Sequence, residues 1–181
     1  DKVGKVIHFT EIKLTKDKEI LVRGKSLMQG YWKDKKSTDE TIINGWLHTG
    51  DLGSFDSENY LKILGRKNEM IVNSGGENIA PEPLEDLFLT HDEIDQIMIY
   101  GHSKPYLTAL IYVHEKSSKN KKIIQNIFNK INSKLSSVKK VRKYSFVDHS
   151  FSIDRGELTP TLKIKRRIIE KNYKSLIESM Y

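Results

Sequence analysis

The sequence predicts an α+β protein, in which a small β-rich, barrel-like subdomain precedes a small α+β domain with a short sheet packed by helices. Three observations support this fold class. Residues 1–64 form short runs of alternating apolar and polar positions, separated by turns rich in Gly, Asp, Ser and Asn. After Gly65, apolar residues recur three and four positions apart in three stretches, which is the spacing of amphipathic helices. Runs of β-forming residues lie between these stretches, so we place a domain boundary near Gly65.

The β-rich subdomain is predicted to hold one helix and several short strands. The helix lies within Lys35–Ile42, where Ser37 and Thr38 are candidate N-caps and Glu40 follows Ser37 by three positions. The predicted strands, of which the last two bracket a polar loop, are Val3–Phe9, Glu11–Leu14, Glu19–Val22, Trp46–Thr49 and Tyr60–Leu64.

The second domain is predicted to alternate strands and helices. Pro81 opens a first helix, because its missing N–H is harmless in a first turn. The apolar residues of this helix are Leu84, Leu87 and Phe88, and those of the next are Ile123, Ile124, Ile127, Ile131 and Leu135. A third helix runs from about Arg166 to Met180. The strands are Met70–Val72, Ile94–Tyr100, Leu107–Val113 and Tyr144–Val147, with the middle two adjacent and antiparallel.

Composition limits the classes of function. The 181 residues include no Cys, which excludes a disulfide framework and thiolate metal sites. The six His show no metal-ligand spacing, so no metal site is predicted in this chain. No apolar run approaches the ~20 residues that a membrane-spanning helix needs. The chain starts at Asp1 with neither an initiator Met nor a signal-peptide layout, so we expect it to be part of a longer protein.

Three segments carry a family resemblance. They are Gly45–Leu52 (GWLHTGDL) with the preceding Met28–Trp32, Gly65–Ile79 (GRKNEMIVNSGGENI), and Leu158–Arg166 (LTPTLKIKR). In this order and spacing they resemble the adenylate-forming superfamily of acyl-CoA synthetases, peptide-synthetase adenylation domains and luciferases. Many members carry Gly directly before the catalytic Lys. The form found here, with Thr-Pro-Thr-Leu before Lys163, resembles the long-chain fatty acid-CoA ligase branch.

The resemblance implies an organisation and a set of substrates. Residues 1–64 would end an N-terminal adenylation domain, 65–68 would form a hinge, and 69–181 would form a mobile C-terminal domain. The full enzyme would use ATP with Mg²⁺ to convert a fatty acid to acyl-AMP and would then transfer the acyl group to CoA. The phosphate loop and the magnesium site would lie in the N-terminal domain, the partner of this chain. The absence of Cys fits a reducing compartment, so we expect a cytoplasmic protein, and the net charge of +7 suggests peripheral membrane contact on the cytoplasmic face.

Asp51 and Arg66 are the predicted nucleotide-binding residues. A carboxylate can accept hydrogen bonds from both hydroxyls of a ribose, and such charge-assisted bonds are strong. By the resemblance, Arg66 holds a ribose hydroxyl or anchors the same loop. The alternative is a polar turn in which Asp51 bonds only to local backbone.

Lys163 is the predicted catalytic residue. Its role comes from the resemblance, since the chain holds 31 Lys and Arg and Lys165 is the second candidate. An ammonium group between the fatty carboxylate and the α-phosphate would offset the repulsion of two anions. The resemblance also places Asn68 at the hinge and Gly75, Gly76 and Glu77 on the loop lining the CoA tunnel. A routine turn is the alternative for both of these assignments.

Two other functions stay open. One is a fatty acyl-AMP ligase, which passes the acyl group to a carrier protein instead of CoA. The other is a basic module for nucleic acid or an anionic surface, suggested by the net charge of +7. Because the basic stretches Lys116–Lys122 and Lys139–Lys143 hold few aromatic residues, we do not predict nucleic acid as a partner.

Overall fold

A computed structural model describes residues 2–114 and 121–181, which form two compact units, Asp1–Asn68 and Glu69–Tyr181. The basic stretch Lys116–Lys122 therefore lies mostly outside the described residues. Across the described ranges, every helix is too short or too polar to cross a membrane.

The first unit is built on an antiparallel sheet with one short helix. Its elements are β1 (Thr10–Leu14), β2 (Glu19–Gly24), α1 (Lys35–Thr41), β3 (Ile42–Ile43), β4 (Trp46–Phe55) and β5 (Leu61–Arg66). The strand order is β1-β2-β4-β3, and β5 also pairs with β4. One edge of β4 is covered by β2, while the other edge is shared by β3 at the start of the strand and β5 at its end.

The long strand β4 curls the sheet into a half-barrel. Its ladder with β5 shifts register between Leu52 and Gly53, and such irregularities bend and twist a strand. Gly53 is required at this point. A Cβ there would lie 2.7 Å from the Ile20 side chain and 3.0 Å from the Lys62 carbonyl oxygen. The barrel-like expectation is therefore confirmed as an open, curled sheet.

Three local expectations for this unit are wrong. Val3–Phe9 forms no strand, because positive φ angles at Gly4 and Phe9 interrupt the extended chain and leave a single bridge from Gly4 to Leu61. The strand predicted at Trp46–Thr49 continues to Phe55, since pairing on both edges outweighs the weak strand propensity of its Gly, Asp and Ser residues. The cap of α1 is Asp34, whose carboxylate accepts from the Ser37 N–H at 2.9 Å, and neither Ser37 nor Thr38 fills that position.

The second unit has three layers around a three-stranded sheet. Its elements are β6 (Ile71–Val72), β7 (Asn78–Ile79), α2 (Glu82–Leu89), β8 (Gln96–Tyr100), β9 (Leu107–Tyr112), α3 (Lys121–Asn132), β10 (Val141–Phe146), α4 (Arg166–Asn172) and α5 (Lys174–Glu178). The strand β9 lies between an antiparallel β8 and a parallel β10. β6 and β7 form a separate two-stranded hairpin. The predicted α+β class and the antiparallel β8–β9 pair are both confirmed.

Alternate residues of the central sheet pack into two separate hydrophobic cores. Ile97, Ile99 and Ile111 belong to a core that includes the buried residues of α2 and α3. Met98 and Leu110 belong to a second core that includes buried residues of α4 and α5. Because successive side chains of a strand point to opposite faces, the sheet is covered by helices on both sides.

The predicted third helix is broken. At Tyr173 the backbone has φ −110° and ψ 21°, which ends α4 before α5 begins. Ile169 of α4 and Ile177 of α5 both belong to the second core. The helical faces also differ in detail from prediction. Leu87 is 44% exposed, whereas Phe128, which the apolar spacing omitted, is fully buried against Phe88 with ring centroids 4.5 Å apart.

We expect Phe88→Ala to destabilise the second unit by about 3–5 kcal/mol, because it removes a fully buried ring and leaves a cavity. Urea unfolding followed by far-UV circular dichroism measures the effect. Leu87→Ala is the matched control on the same helix and should cost much less, since that side chain is 44% exposed. Equal losses in the two variants would contradict the assigned core.

Candidate functional site

Asp51 and Arg66 are brought together by the strand ladder. They occupy directly opposed positions on β4 and β5. Arg66 Nε lies 2.9 Å from Asp51 Oδ1, and Arg66 Nη1 donates to the Thr49 carbonyl oxygen at 3.3 Å. Both side chains stay open to solvent, with exposed fractions of 27% for Asp51 and 50% for Arg66. The pair thus presents an acceptor and a donor side by side on one exposed surface, an arrangement suited to polar hydroxyls.

The segment of β4 that carries Asp51 is held by Thr49. Its hydroxyl donates to the Ile20 carbonyl oxygen at 2.8 Å and accepts from the Asp51 N–H at 3.0 Å. The bond to Asp51 is the local one that a simple polar turn would make. It uses the backbone of Asp51, however, and leaves the carboxylate to Arg66.

A buried carboxylate, Glu19, supports this surface from below and was missed by the sequence analysis. Its Oε1 accepts from the Gly50 N–H at 3.3 Å, and its Oε2 lies 3.1 Å from Lys67 Nζ and 3.6 Å from His48 Nδ1. Burial raises the pKa of Glu19. The bond from Lys67, with smaller contributions from Gly50 and His48, outweighs that effect and holds the pKa below its ordinary value. The available signal was an acidic residue directly before an apolar run.

Asn68 lies in a 3-10 turn, Lys67–Glu69, and is the last residue of the first unit. Its φ is not among the positive values of this chain. The unusual backbone angle that Asn could tolerate is therefore not used here. Its role as a hinge stays a prediction.

The loop with Gly75, Gly76 and Glu77 connects β6 to β7 and is closed by Asn73. The Asn73 Oδ1 accepts from the N–H groups of Gly75 and Glu77, each at 2.9 Å. Gly76 has φ +79°, a conformation that favours glycine. The backbone bonds that tie the hairpin to the segment before β9 run from Ser103 N to Val72 O at 2.8 Å and from Ser74 N to Lys104 O at 3.0 Å. The loop is an anchored, exposed backbone edge with no bulky side chain at its tip.

Lys163 lies on a tight loop before α4. A bridge between Leu158 and Ile164 closes the loop, and the Thr159 hydroxyl accepts from the Lys163 N–H at 3.0 Å. The Lys163 side chain is exposed, and it has no ion-pair partner among the residues that the structure describes. The exposed ammonium group of Lys163, on a loop held by these two contacts, can interact with an anionic ligand. Lys165 is also exposed, so exposure alone does not separate the two candidates.

Arg166, in the same basic stretch, is buried and performs a different task. Its guanidinium pairs with Glu85 of α2 through two bonds, one at 2.7 Å from Nη1 to Oε1 and one from Nη2 to Oε2. Neither residue was singled out from the sequence. A Glu in a predicted amphipathic helix and one Arg among several basic residues give no pattern that would pair them.

Comparison with known proteins identifies the family. Residues 68–181 match the family model described as "AMP-binding enzyme C-terminal domain". The chain belongs to this family. The resemblance read from the three motifs is therefore confirmed.

Members and relatives of the AMP-binding family include fatty acid ligases. The long-chain-fatty-acid–CoA ligase FadD15 of Mycobacterium tuberculosis is 34% identical over 99% of this chain and 34% of its own length. The O-succinylbenzoate coenzyme A synthetase of Bacillus subtilis, solved with AMP, has a TM-score of 0.73 and 26% identity over 92% of this chain and 34% of that one.

A more distant solved structure shares the fold. The adenylation domain of a carboxylate reductase from Mycobacterium chelonae has a TM-score of 0.84 at 21% identity, covering 99% of this chain and 31% of that one. The chain thus spans about a third of the length of the proteins it matches.

Glu19→Gln should destabilise the first unit by about 1–3 kcal/mol at pH 7, because Lys67 then loses its charged partner. The folded-state pKa of Glu19 is lowered, so the carboxylate stabilises the fold above its unfolded pKa of about 4.3 and ceases to do so as the pH falls through the folded value. The difference between the two proteins should therefore shrink at pH 3.

Urea unfolding followed by tryptophan fluorescence measures this, since Trp32 and Trp46 both lie in the first unit. Glu40→Gln is the control, with a side chain 66% exposed and only a 4.0 Å contact to Lys36. Equal stability of wild type and Glu19→Gln at pH 7 would exclude a supporting role for Glu19.

Proposed function

We propose that this chain serves as the C-terminal part of an ATP-dependent, AMP-forming long-chain fatty acid–CoA ligase. The complete enzyme activates a fatty acid to acyl-AMP and transfers the acyl group to CoA. The observation that carries the proposal is the exposed Asp51–Arg66 pair, held at 2.9 Å in a chain of the AMP-binding family. The long-chain substrate is supported by the name of the 34% identical relative FadD15.

In the first half-reaction, Asp51 accepts hydrogen bonds from the ribose hydroxyls of ATP and Arg66 keeps the carboxylate oriented. Lys163 supplies the positive charge between the fatty carboxylate and the α-phosphate. A Lys fits this role because its ammonium is a compact point charge. Mg²⁺ would accompany the ATP phosphates. Its protein ligands would lie in the part of the N-terminal domain that carries the phosphate loop, as the family resemblance implies.

In the second half-reaction, the second unit turns about Asn68 and presents the loop with Gly75, Gly76 and Glu77 to the pantetheine arm of CoA. The exposed backbone of that loop and its lack of bulky side chains support this assignment. Domain turning of this kind is a gating motion on the μs–ms scale.

The remainder of the N-terminal adenylation domain is the proposed partner of the first unit. Several large apolar side chains of this unit are exposed, including Trp32 at 88%, Phe9 at 77% and Ile7 at 70%. Large apolar groups on a surface indicate an interaction site when they cluster. We place the ligase in the cytoplasm, and the net charge of +7 supports peripheral contact with an anionic membrane face.

Asp51→Ala in the complete ligase should weaken ATP binding about tenfold or more, because a charge-assisted bond to a ribose hydroxyl is typically worth ~1.5–3 kcal/mol. Equilibrium titration with ATP measures the change. Asp17→Ala, in an exposed turn of the same unit, is the control and should bind ATP like the wild type. Unchanged affinity in Asp51→Ala would remove the ribose assignment.

The complete ligase should release pyrophosphate from ATP and a long-chain fatty acid and should form the CoA thioester. Lys163→Ala should lower acyl-adenylate formation by ~10²–10³, the usual cost of losing one electrostatic stabiliser of a transition state. The same variant should convert supplied acyl-adenylate and CoA to thioester at close to the wild-type rate.

Lys165→Ala is the matched control and should leave both steps nearly unchanged. Equal loss of both steps in Lys163→Ala would assign that residue to the fold or the hinge. Loss in Lys165→Ala alone would move the catalytic role to that residue. Adenylate formation without transfer to CoA, but with transfer to a carrier protein, would replace the ligase by a fatty acyl-AMP ligase.

A further inference from the structure

Arg166 lies where three parts of the second unit meet. Besides its two bonds to Glu85 of α2, its Nη1 donates to the Ile99 carbonyl oxygen of β8 at 3.4 Å. Its Nε lies 3.5 Å from Oε2 of Glu69, the first residue of the unit, which is an ion-pair contact without a hydrogen bond. The Arg166 side chain therefore contacts α2, the central sheet and the first residue of the second unit.

These contacts are mostly removed from water. The exposed fractions of the side chains are 17% for Arg166 and 6% for Glu85. Glu85 also accepts from the Ile99 N–H at 2.7 Å, so the same carboxylate joins the helix to the strand. The Glu85 carboxylate and the two Nη groups of Arg166 hold one geometry, because moving either residue would leave the other charge unpaired. The buried Nε of Arg166 makes no hydrogen bond to the described residues.

The group is directly connected to the loop of Lys163. Only Ile164 and Lys165 separate Lys163 from Arg166, and both are held in place. Ile164 bridges to Leu158, and the Lys165 N–H donates to the Glu157 carbonyl oxygen at 2.8 Å. A displacement of Arg166 would therefore also displace Lys163.

We propose that Arg166 is a positioning residue: its contacts with Glu85 and Glu69 fix the loop of Lys163 relative to the first residue after the hinge. The inference rests on the proposed function, in which Lys163 lies at the nucleotide during adenylation, before the unit turns about Asn68. The contacts of Arg166 with α2, β8 and Glu69 hold the Lys163 loop in one position within the second unit, so the ammonium is placed accurately during adenylation. Misplacement by about 1 Å can cost ~10²-fold in rate.

The test uses two conservative variants of the complete ligase. Glu85→Gln keeps the shape and removes the charge, whereas Arg166→Lys keeps the charge and cannot form the two parallel bonds. Both should lower kcat for acyl-adenylate formation about tenfold or more, with KM for ATP changed less than about twofold. Thioester formation from supplied acyl-adenylate should stay within about twofold of wild type, which a general loss of folded protein would not allow. Arg167→Gln, an exposed neighbour of equal charge, should change neither step.

Melting temperatures identify any variant that fails to fold. In that case Glu69→Gln decides, since the Glu69 side chain is 43% exposed and its loss leaves the Glu85 pair intact. It should lower adenylate formation in the same selective way, by roughly threefold. Unchanged adenylate formation in the folded variants, or equal loss of both half-reactions, would overturn the proposal. If Lys163→Ala is selective and these variants are not, only the positioning role fails. If Lys163→Ala is not selective, the proposed function of Lys163 itself fails.

Discussion

The two-sided burial of β9 is the constraint on which the second unit depends. Leu107, Ala109 and Ile111 lie in one core and Leu110 in the other, and all four are fully buried. A strand in this position needs a neighbour on each edge and a helical layer on each face, because its backbone and both rows of side chains must leave water together. The antiparallel β8, the parallel β10 and the two pairs of helices meet that need. The loops proposed for CoA and for adenylation are both carried by this scaffold.

In the first unit the central strand is β4. It is held mainly by pairing along both of its edges, and not by burial of both of its faces. The strand is ten residues long and is paired with β2 on one edge and with β3 and β5 in turn on the other. Because Asp51 and Arg66 face each other across the β4–β5 ladder, the candidate nucleotide pair is a direct product of strand register. A slip of one residue would send the two side chains to opposite faces of the sheet.

In both units a buried carboxylate pairs with a cation that lies close in the sequence to a proposed site residue. Glu19 contacts Lys67 and the N–H of Gly50, the residue before Asp51, and Glu85 pairs with Arg166 at the start of α4. In each case a carboxylate with low exposure is balanced by a cation and a backbone N–H. A buried ion pair adds little net stability, but breaking it is costly, which makes it a better device for geometry than for stability. The groups proposed to meet substrate, Asp51 and Lys163, are correspondingly left on the surface.

The fold class and the family could be predicted from the sequence, which also supplied Asp51, Arg66 and Lys163 as candidate site residues. Apolar spacing located α2, α3, β8 and β9, and three motifs in order were enough to identify the AMP-binding family. Local patterns predict these features because the residues that form one face of a strand or helix lie close together in the sequence.

Several element boundaries, the orientation of some apolar side chains and the ion pairs depend on tertiary packing. It extended β4 through a Gly- and Asp-containing segment, divided the last helix at Tyr173, and turned Leu87 outward while burying Phe128. It also paired Glu19 with Lys67 and Glu85 with Arg166, residues 48 and 81 positions apart. Pairings at that distance leave no periodic trace in the chain. They arise only when packing brings distant elements together and removes the carboxylate of each pair from water.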